Sequence, residues 1–498
     1  MSLVVSYIVV IVYAAALVYV TAFCLMQFHL LFHYSKHHRL LDAEGEDSLK
    51  SEFSEDWPFV TIQLPLYNEK FVVERLIDNI MNLDYPKDKY EVHILDDSSD
   101  DTIQLAKRKA AEYSGKGFNI AYIRRPNRKG YKAGALKDGM PYVKGEYIAI
   151  FDADFLPKQD FLKKTIPHFQ DPKVGVVQTR WEHINESYSL LTRMQAFQLN
   201  VHFTVEQQGR ESGNYLLQFN GTAGVWRKET IEDAGGWEAD TLTEDLDLSY
   251  RAQLKGWKIT FLEEVGSPAE LPAEMNGLKS QQYRWMKGGA ETARKILPTI
   301  WQSNISLMQK IHASSHLLSS SVFLFVFLLG VFSVPILFLS LPEGIKPEFF
   351  AIFLIGLFSI VIVYYVANVN AEVSDETKFK RVGKFLLLFP LFLALSMGLS
   401  LHNTVAVIQG YFGKQSAFVR TPKLGISQIG DKIKKTNYLR YKLSPVTIME
   451  GLLALYFLFA VVSGLMLENS MFLIFHTLLF LGYGCIFYFS VKHMAYRD

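Results

Sequence analysis

Hydrophobic and polar positions divide this chain into three regimes. Residues 2–34 carry no Asp, Glu, Lys or Arg, and an apolar run of that length spans a bilayer with tilt. It ends in His33-Tyr34-Ser35-Lys36-His37-His38-Arg39. A basic flank marks the cytoplasmic side, so the N-terminus is expected outside. Residues 35–56 read as a polar, acidic linker. From residue 57 to 300, short apolar runs alternate with helical periodicities. Strands are predicted at Phe59-Val-Thr-Ile-Gln-Leu64, Tyr90-Glu-Val-His-Ile-Leu95, residues 119–123 and Tyr147-Ile-Ala-Ile-Phe151, with helices over 71–83, 101–113 and 132–140. This βαβα alternation predicts a mostly parallel sheet covered by helices on both faces.

Residues 301–498 return to long apolar runs. Four further spans are expected, at 317–341, 349–371, 446–466 and 470–491. A fifth apolar stretch, 385–412, breaks at Pro390. It precedes a strongly basic loop, 413–445, with Lys414, Arg420, Lys423, Lys432, Lys434, Lys435, Arg440 and Lys442. A crossing there would put those charges outside, against the positive-inside bias. The stretch is therefore expected to lie in the headgroup layer, with Ser396, Ser400, Asn403 and Val407 as its polar-side stripe. Five spans then leave the C-terminus inside.

Composition narrows the function. A net charge of +1 over 498 residues argues against nucleic-acid binding, which needs a basic surface. Two cysteines, Cys24 and Cys485, sit in apolar runs and read as buried thiols; no zinc site or disulfide framework is expected. The histidines at 33, 37 and 38, and those at 312 and 316, are expected to face the headgroups.

Candidate chemistry sits where the predicted strands end. In open α/β sheets ligands bind beyond the carboxyl ends of strands, and Asp97 and Asp152 stand there. Asp152-Ala153-Asp154 must turn for its carboxylates to converge, because alternate residues of a strand point oppositely. Mg²⁺ or Mn²⁺ needs little more than one or two carboxylates and substrate phosphates; a helix cap or turn is the competing role. Asp96 and Asp97 suit the base or ribose of a nucleotide. Tyr67 packs on a base and Glu69 accepts from it. Lys132, in a basic glycine-rich stretch before a helix, suits a diphosphate. Asp245 is the candidate general base, with Glu244 and Asp247 as competitors. Gln281, Arg284 and Trp285 share one helix face by their spacing. Trp285 offers a sugar ring a stacking surface, and Arg284 pairs with diphosphate oxygens.

These residues, with Gly130-Tyr-Lys-Ala-Gly-Ala-Leu136, Leu191-Thr-Arg-Met-Gln195, His202-Phe-Thr-Val-Glu-Gln207, Phe219-Asn-Gly-Thr-Ala-Gly224 and Thr243-Glu-Asp245, carry a resemblance. From about residue 57 to 430 the chain resembles membrane-embedded family 2 glycosyltransferases of the cellulose synthase-like group. That group includes plant mannan and glucan-backbone synthases, and the chain is also similar to the bacterial cellulose synthase catalytic subunit. The resemblance implies an α/β GT-A catalytic domain on the cytoplasmic face, joined to an α-helical transmembrane domain with interfacial helices. It implies an inverting single displacement with Asp245 as base. Asp152 and Asp154 would hold Mg²⁺ or Mn²⁺, and Tyr67, Glu69, Asp97, Lys132, Asp152 and Arg284 the nucleotide-sugar. Phe219, Asn220, Gly221, Thr222, Gln281 and Trp285 would form the acceptor site at a channel mouth. Phe418, Thr421 and Lys423 resemble a gating loop, although Arg420 stands where that loop has Val. A regulatory C-terminal domain with second-messenger control is not expected.

The expected activity is processive polymerisation of hexose from UDP-glucose or GDP-mannose into a β-linked glucan or mannan, with translocation. The alternatives are a transferase adding one sugar to a membrane lipid, and an inactive structural subunit. The expected partners are a nucleotide-sugar, the growing polysaccharide and the bilayer. The expected setting is a bacterial-type plasma membrane with the catalytic domain cytoplasmic.

Overall fold

The computed structural model describes residues 3–44, 56–339, 352–370, 377–428, 430–431 and 443–495. Lys432, Lys434, Lys435, Arg440 and Lys442 of the expected basic loop, and residues 45–55 of the expected linker, lie outside the described residues, while residues 35–44 continue the first helix, Leu3–Glu44. Seven strands, β1 (Val60–Leu66), β2 (Tyr90–Asp96), β3 (Ile120–Ile123), β4 (Tyr147–Ile150), β5 (Val174–His183), β6 (Gly224–Arg227) and β7 (Lys258–Ala269), form one sheet. Their order is β3-β2-β1-β4-β6-β5-β7.

The four predicted strands pair in parallel, Val60 facing Tyr90 and Tyr147, and Val92 facing Ile120. The sheet is mostly parallel, as expected, and mixed at one strand: β6 runs antiparallel between β4 and β5, while β5 and β7 pair in parallel. β6 follows the helices Leu190–Val201 and Gln207–Ser212 and enters the sheet from a tight turn at residues 219–223, where Gly221 and Ala223 have positive φ.

Each face of the sheet is apolar and covered. Val60, Ile62 and Leu64 pack on Val73, Leu76, Ile77 and Ile80 of helix Val73–Met81. Ile148 and Ile150 face the other way, with Leu136, Trp226 and Leu248. Burying a Val, Leu or Ile side chain stabilises by about 1.5–3 kcal/mol, so this alternation sets the strand register. The register in turn carries every strand-end carboxylate to one edge.

Among the described residues, five helices are long and apolar enough to cross a membrane: Val4–Arg39, Ser319–Ile336, Lys378–Gly398, Pro445–Met466 and Leu473–Lys492. The set differs from expectation in one place. Lys378–Gly398 qualifies, whereas Leu354–Asn370 is shorter among the described residues. The polar stripe also faces differently: Ser400, Asn403 and Val407 are fully buried. It lies against helix Met275–Gln302, where His402 Nε2 meets the Lys279 carbonyl at 2.9 Å and Tyr283 donates to Gln409 at 2.6 Å. Periodicity marks a polar face but not its cover, and here the cover is protein.

His312 and His316 are likewise buried instead of facing headgroups. His312 stacks on Tyr215 with ring centroids 3.6 Å apart. Cys24 is buried and Cys485 half-buried. Lys279 and Glu450, both buried, pair at 2.7 Å and tie helix Met275–Gln302 to Pro445–Met466. Removing one partner of such a pair costs about 3–5 kcal/mol.

The stretch 378–411 touches helices of the 57–300 region at both ends. Phe385, Phe389 and Phe392 cluster with Phe197, and Gly410 lies against the backbone of Lys287. Residues 415 and 428 are therefore expected on the same side of the membrane as the sheet. Gln415→Cys and Gln428→Cys, in a background without Cys24 and Cys485, should resist an impermeant thiol reagent until the membrane is opened. Labelling in intact cells would place the loop outside.

Candidate active site

The strand ends open into one cleft of about 1320 Å³, open mouth included, at the carboxyl edge of β1, β2 and β4. Tyr67, Glu69, Asp97, Lys132, Asp152, Asp154, Asn220, Gly221, Asp245, Gln281, Arg284, Trp285, Phe418, Thr421 and Lys423 all line it. Phe219 and Thr222 do not. The Phe219 ring is fully buried, edge-on to Trp226 at 5.4 Å. Thr222 Oγ1 accepts the Asp152 backbone N–H at 2.8 Å. Those two residues hold the turn that presents Asn220 and Gly221, instead of touching a ligand themselves.

The two carboxylates after β4 each meet a lysine. Lys132 Nζ lies 2.5 Å from Asp152 Oδ1, and Lys423 Nζ 2.5 Å from Asp154 Oδ2. Lys132 also donates to the Gly221 carbonyl at 2.8 Å. Arg284 reaches the Val419 carbonyl at 2.6 Å, and burial lowers it to about 10 against the opposing pull of Asp152 and Glu244. Two carboxylates with two lysines and an arginine form a donor set that fits a divalent cation and a diphosphate together. A different acidic group, Glu238, Asp240 and Asp247, is already bridged by Lys295 at 2.6, 2.9 and 3.0 Å.

Asp97 is clamped. Both its oxygens accept from Arg125, at 2.8 and 2.6 Å. Asp96 is structural, accepting from Tyr122 at 2.7 Å and from the Ser98 N–H at 2.8 Å. Glu69 Oε1 pairs with Arg420 at 2.7 Å, while its Oε2 is buried without a hydrogen-bond partner among the described residues. Burial pushes Glu69 up to about 8, opposed by Arg420. The Tyr67 ring carries the Arg128 guanidinium 3.3 Å above its centre.

The segment 418–425 closes this wall. Phe418 stacks on Tyr131 at 5.6 Å, with Arg284 4.9 Å from its centre. The Leu424 and Gly425 N–H groups donate to Glu270 at 2.9 and 3.0 Å. Sequence reasoning missed Arg125, Arg128, Glu270 and the Glu69–Arg420 pair. Glu270 carried one signal, an acid between Pro268 and Pro272 at the end of a strand.

Three carboxylates competed for the role of base. Asp247 is fully buried, bound to Arg251 at 2.8 Å, and outside the cleft lining. Glu244 and Asp245 line the cleft. Burial, and then the Glu244 charge, push Asp245 up to about 7 while Lys132 pulls it down. A carboxylate near 7 is matched to taking a proton at neutral pH. Gly221, at φ +81, lies under it: a Cβ there would stand 2.9 Å from Asp245 Oδ2. Gly221→Ala should therefore slow turnover by tenfold or more, roughly the worth of 1–2 kcal/mol of backbone strain, with an unchanged far-ultraviolet circular dichroism spectrum. Parental turnover would mean that Asp245 tolerates displacement.

Comparison with known proteins gives this cleft a setting. The family described as Glycosyltransferase like family 2 matches residues 58–288. Glucomannan 4-beta-mannosyltransferase 9 of Arabidopsis thaliana is 44% identical over 262 residues, covering 51% of this chain and 49% of its own. Glucomannan 4-beta-mannosyltransferase 1 of Oryza sativa subsp. japonica is 45% identical over 262 residues, covering 51% of this chain and 50% of its own. The chain thus spans about half the length of these curated relatives. A mannosyltransferase from Pyrobaculum calidifontis, solved in complex with GDP-Man and Mn²⁺, superposes with a TM-score of 0.51 at 18% identity, covering 81% of this chain and 100% of its own. At that identity the likeness shows the fold, a GT-A-like mixed sheet with flanking helices.

Proposed function

We propose that the protein, whose residues 58–288 match the family described as Glycosyltransferase like family 2, is a processive, inverting β-glycosyltransferase. It extends a β-linked mannan from GDP-mannose at a membrane. The observation that carries this reading is the convergence in one cleft of the Asp152/Asp154 pair, Lys132 and Arg284, and Asp245 held near 7. The relatives named as glucomannan 4-beta-mannosyltransferases, and a structural neighbour holding GDP-Man, favour mannose over glucose. These curated relatives are plant proteins and give the expected bacterial membrane no support.

In this reading Asp245 takes the proton of an acceptor hydroxyl. The freed oxygen attacks the anomeric carbon from the face opposite the nucleotide. The bond from that carbon to the diphosphate oxygen breaks, and its electron pair leaves with the diphosphate. An α-linked donor thus gives a β link. Lys132 and Arg284 place positive charge where the leaving group gathers negative charge. Asp152 and Asp154 would hold a divalent cation, which supplies Lewis-acid stabilisation of the diphosphate. Glu69, Tyr67 and Asp97 orient the nucleoside. Asn220, Gly221, Gln281 and Trp285 receive the acceptor, and the 418–423 segment gates the donor pocket. Purified protein offered GDP-mannose and UDP-glucose in turn, with Mn²⁺, tests donor choice. Consumption of GDP-mannose is expected; consumption of UDP-glucose alone would make the product a glucan.

A further inference from the structure

Five lysine and arginine side chains line the cleft, and four of them are engaged among the described residues. Lys132 meets Asp152 and Lys423 meets Asp154, each at 2.5 Å. Arg420 meets Glu69 at 2.7 Å, and Arg284 donates to the Val419 carbonyl at 2.6 Å. Arg128 differs: its side chain makes no hydrogen bond or ion pair among the described residues. Its Nε is buried, whereas its two Nη groups are open at the cleft wall. A guanidinium offers its N–H donors in a fixed fork, and a fork left unused in a ligand cleft points to a ligand that takes it.

Arg128 is nevertheless held in place. Its guanidinium carbon lies 3.3 Å from the centre of the Tyr67 ring and 4.8 Å from that of Tyr131, an arrangement in which the ring faces attract the cation. The backbone beneath it is folded around Arg125, which donates to the Lys129 and Tyr131 carbonyls, both at 2.7 Å. The Tyr131 N–H returns to the Arg128 carbonyl at 3.2 Å and closes a turn. Two rings and a fixed turn therefore aim the fork before any ligand arrives, which lowers the ordering cost of binding.

Arg128 stands on the side of the cleft read as the nucleoside side. The charges acting most on it are Asp97, just after β2, and Arg125, just after β3. Lys132 and Arg284 instead feel Asp152 and Glu244, after β4 and at the start of helix Glu244–Leu254. In the transferase reading that second group serves the diphosphate, and Arg128 is left for the base. Guanine presents two neighbouring acceptors, O6 and N7, which one arginine takes together; adenine sets its N6–H₂ donor beside N7. Uracil, like thymine, has the single acceptor O4 on that edge.

We infer that Arg128 selects guanine in the donor: its two Nη groups, held against Tyr67 and Tyr131, donate to O6 and N7 of the base. The inference rests on the transferase reading and adds the residue that makes its nucleotide a guanosine diphosphate. Tyr67 then acts through Arg128, as the surface on which the guanidinium is seated.

The test is calorimetry on full-length protein with Mn²⁺ and GDP, 7-deaza-GDP or UDP. 7-Deaza-GDP carries a C–H in place of N7 and otherwise matches GDP. The parent is expected to bind GDP about tenfold or more tighter than UDP, in the range of one arginine–guanine pair. It should bind 7-deaza-GDP about tenfold weaker than GDP, the worth of a hydrogen bond from a charged donor. Arg128→Met should weaken GDP by about ten- to a hundredfold, leave UDP at parental affinity, and bind 7-deaza-GDP as well as GDP. Equal parental affinity for GDP and 7-deaza-GDP overturns the inference, and that arm needs no variant. An equal loss of GDP and UDP in Arg128→Met, with a parental circular dichroism spectrum, also overturns it: Arg128 then serves the shared diphosphate, and the transferase reading stands. Tighter parental binding of UDP than of GDP overturns it in the same way. If the parent binds no nucleotide diphosphate, the transferase reading falls and this inference with it.

Discussion

Asp245→Asn should lower sugar transfer by about a hundred- to ten-thousand-fold, the usual worth of a general base, while nucleotide-diphosphate binding stays at parental strength. The two readouts separate because the groups proposed to face the diphosphate are Asp152, Asp154, Lys132 and Arg284, whereas Asp245 opens helix Glu244–Leu254 beside the Gly221 turn. The pH dependence carries the same signature. Burial and the neighbouring Glu244 push Asp245 up to about 7. The base acts as a carboxylate, so kcat should fall about tenfold per unit below that point and level off above it. In the Asn variant the residual rate should lose this acid limb. Near-parental turnover with the limb intact would transfer the role to Glu244, the other carboxylate of the motif that lines the cleft.

Asp152→Ala or Asp154→Ala should weaken metal-dependent nucleotide-diphosphate binding by about a hundredfold or more, beyond the roughly ten- to hundredfold that outer-shell changes cost. Each variant also strands a cation: Lys132 loses a carboxylate at 2.5 Å and Lys423 another at the same distance. The two lysines would then attract the diphosphate without help, so binding should lose its dependence on Mn²⁺ before it loses all affinity. Calorimetry with and without Mn²⁺ reads both features. Parental, metal-dependent affinity in both variants would remove the pair from the metal site.

The strand-end acids were legible because β1, β2 and β4 are apolar runs that stop at a polar residue, and parallel pairing brings such ends to one edge. Gln281, Arg284 and Trp285 were legible because helical spacing puts them on one face, and that face lines the cleft. What covers a face was not legible. Asn403 and His316 read as polar positions near a membrane, yet both are buried against protein. Contacts across long separations were also hidden: Lys423 meets Asp154 across 269 positions, and no local pattern pairs them. Phe219 misled for another reason. Its motif marks the turn at the cleft, but its ring packs beneath that turn and only Asn220 and Gly221 look into the cleft.

The central claim, that the cleft builds a polymer from a nucleotide-sugar, is tested most directly by product analysis. Full-length protein in lipid nanodiscs is supplied with radiolabelled GDP-mannose and Mn²⁺, and the products are separated by size and by extraction into organic solvent. The account predicts label in a long, water-insoluble chain that an endo-β-mannanase digests, and none with Asp245→Asn. Label confined to a lipid extract, or no incorporation from any nucleotide-sugar, would contradict it.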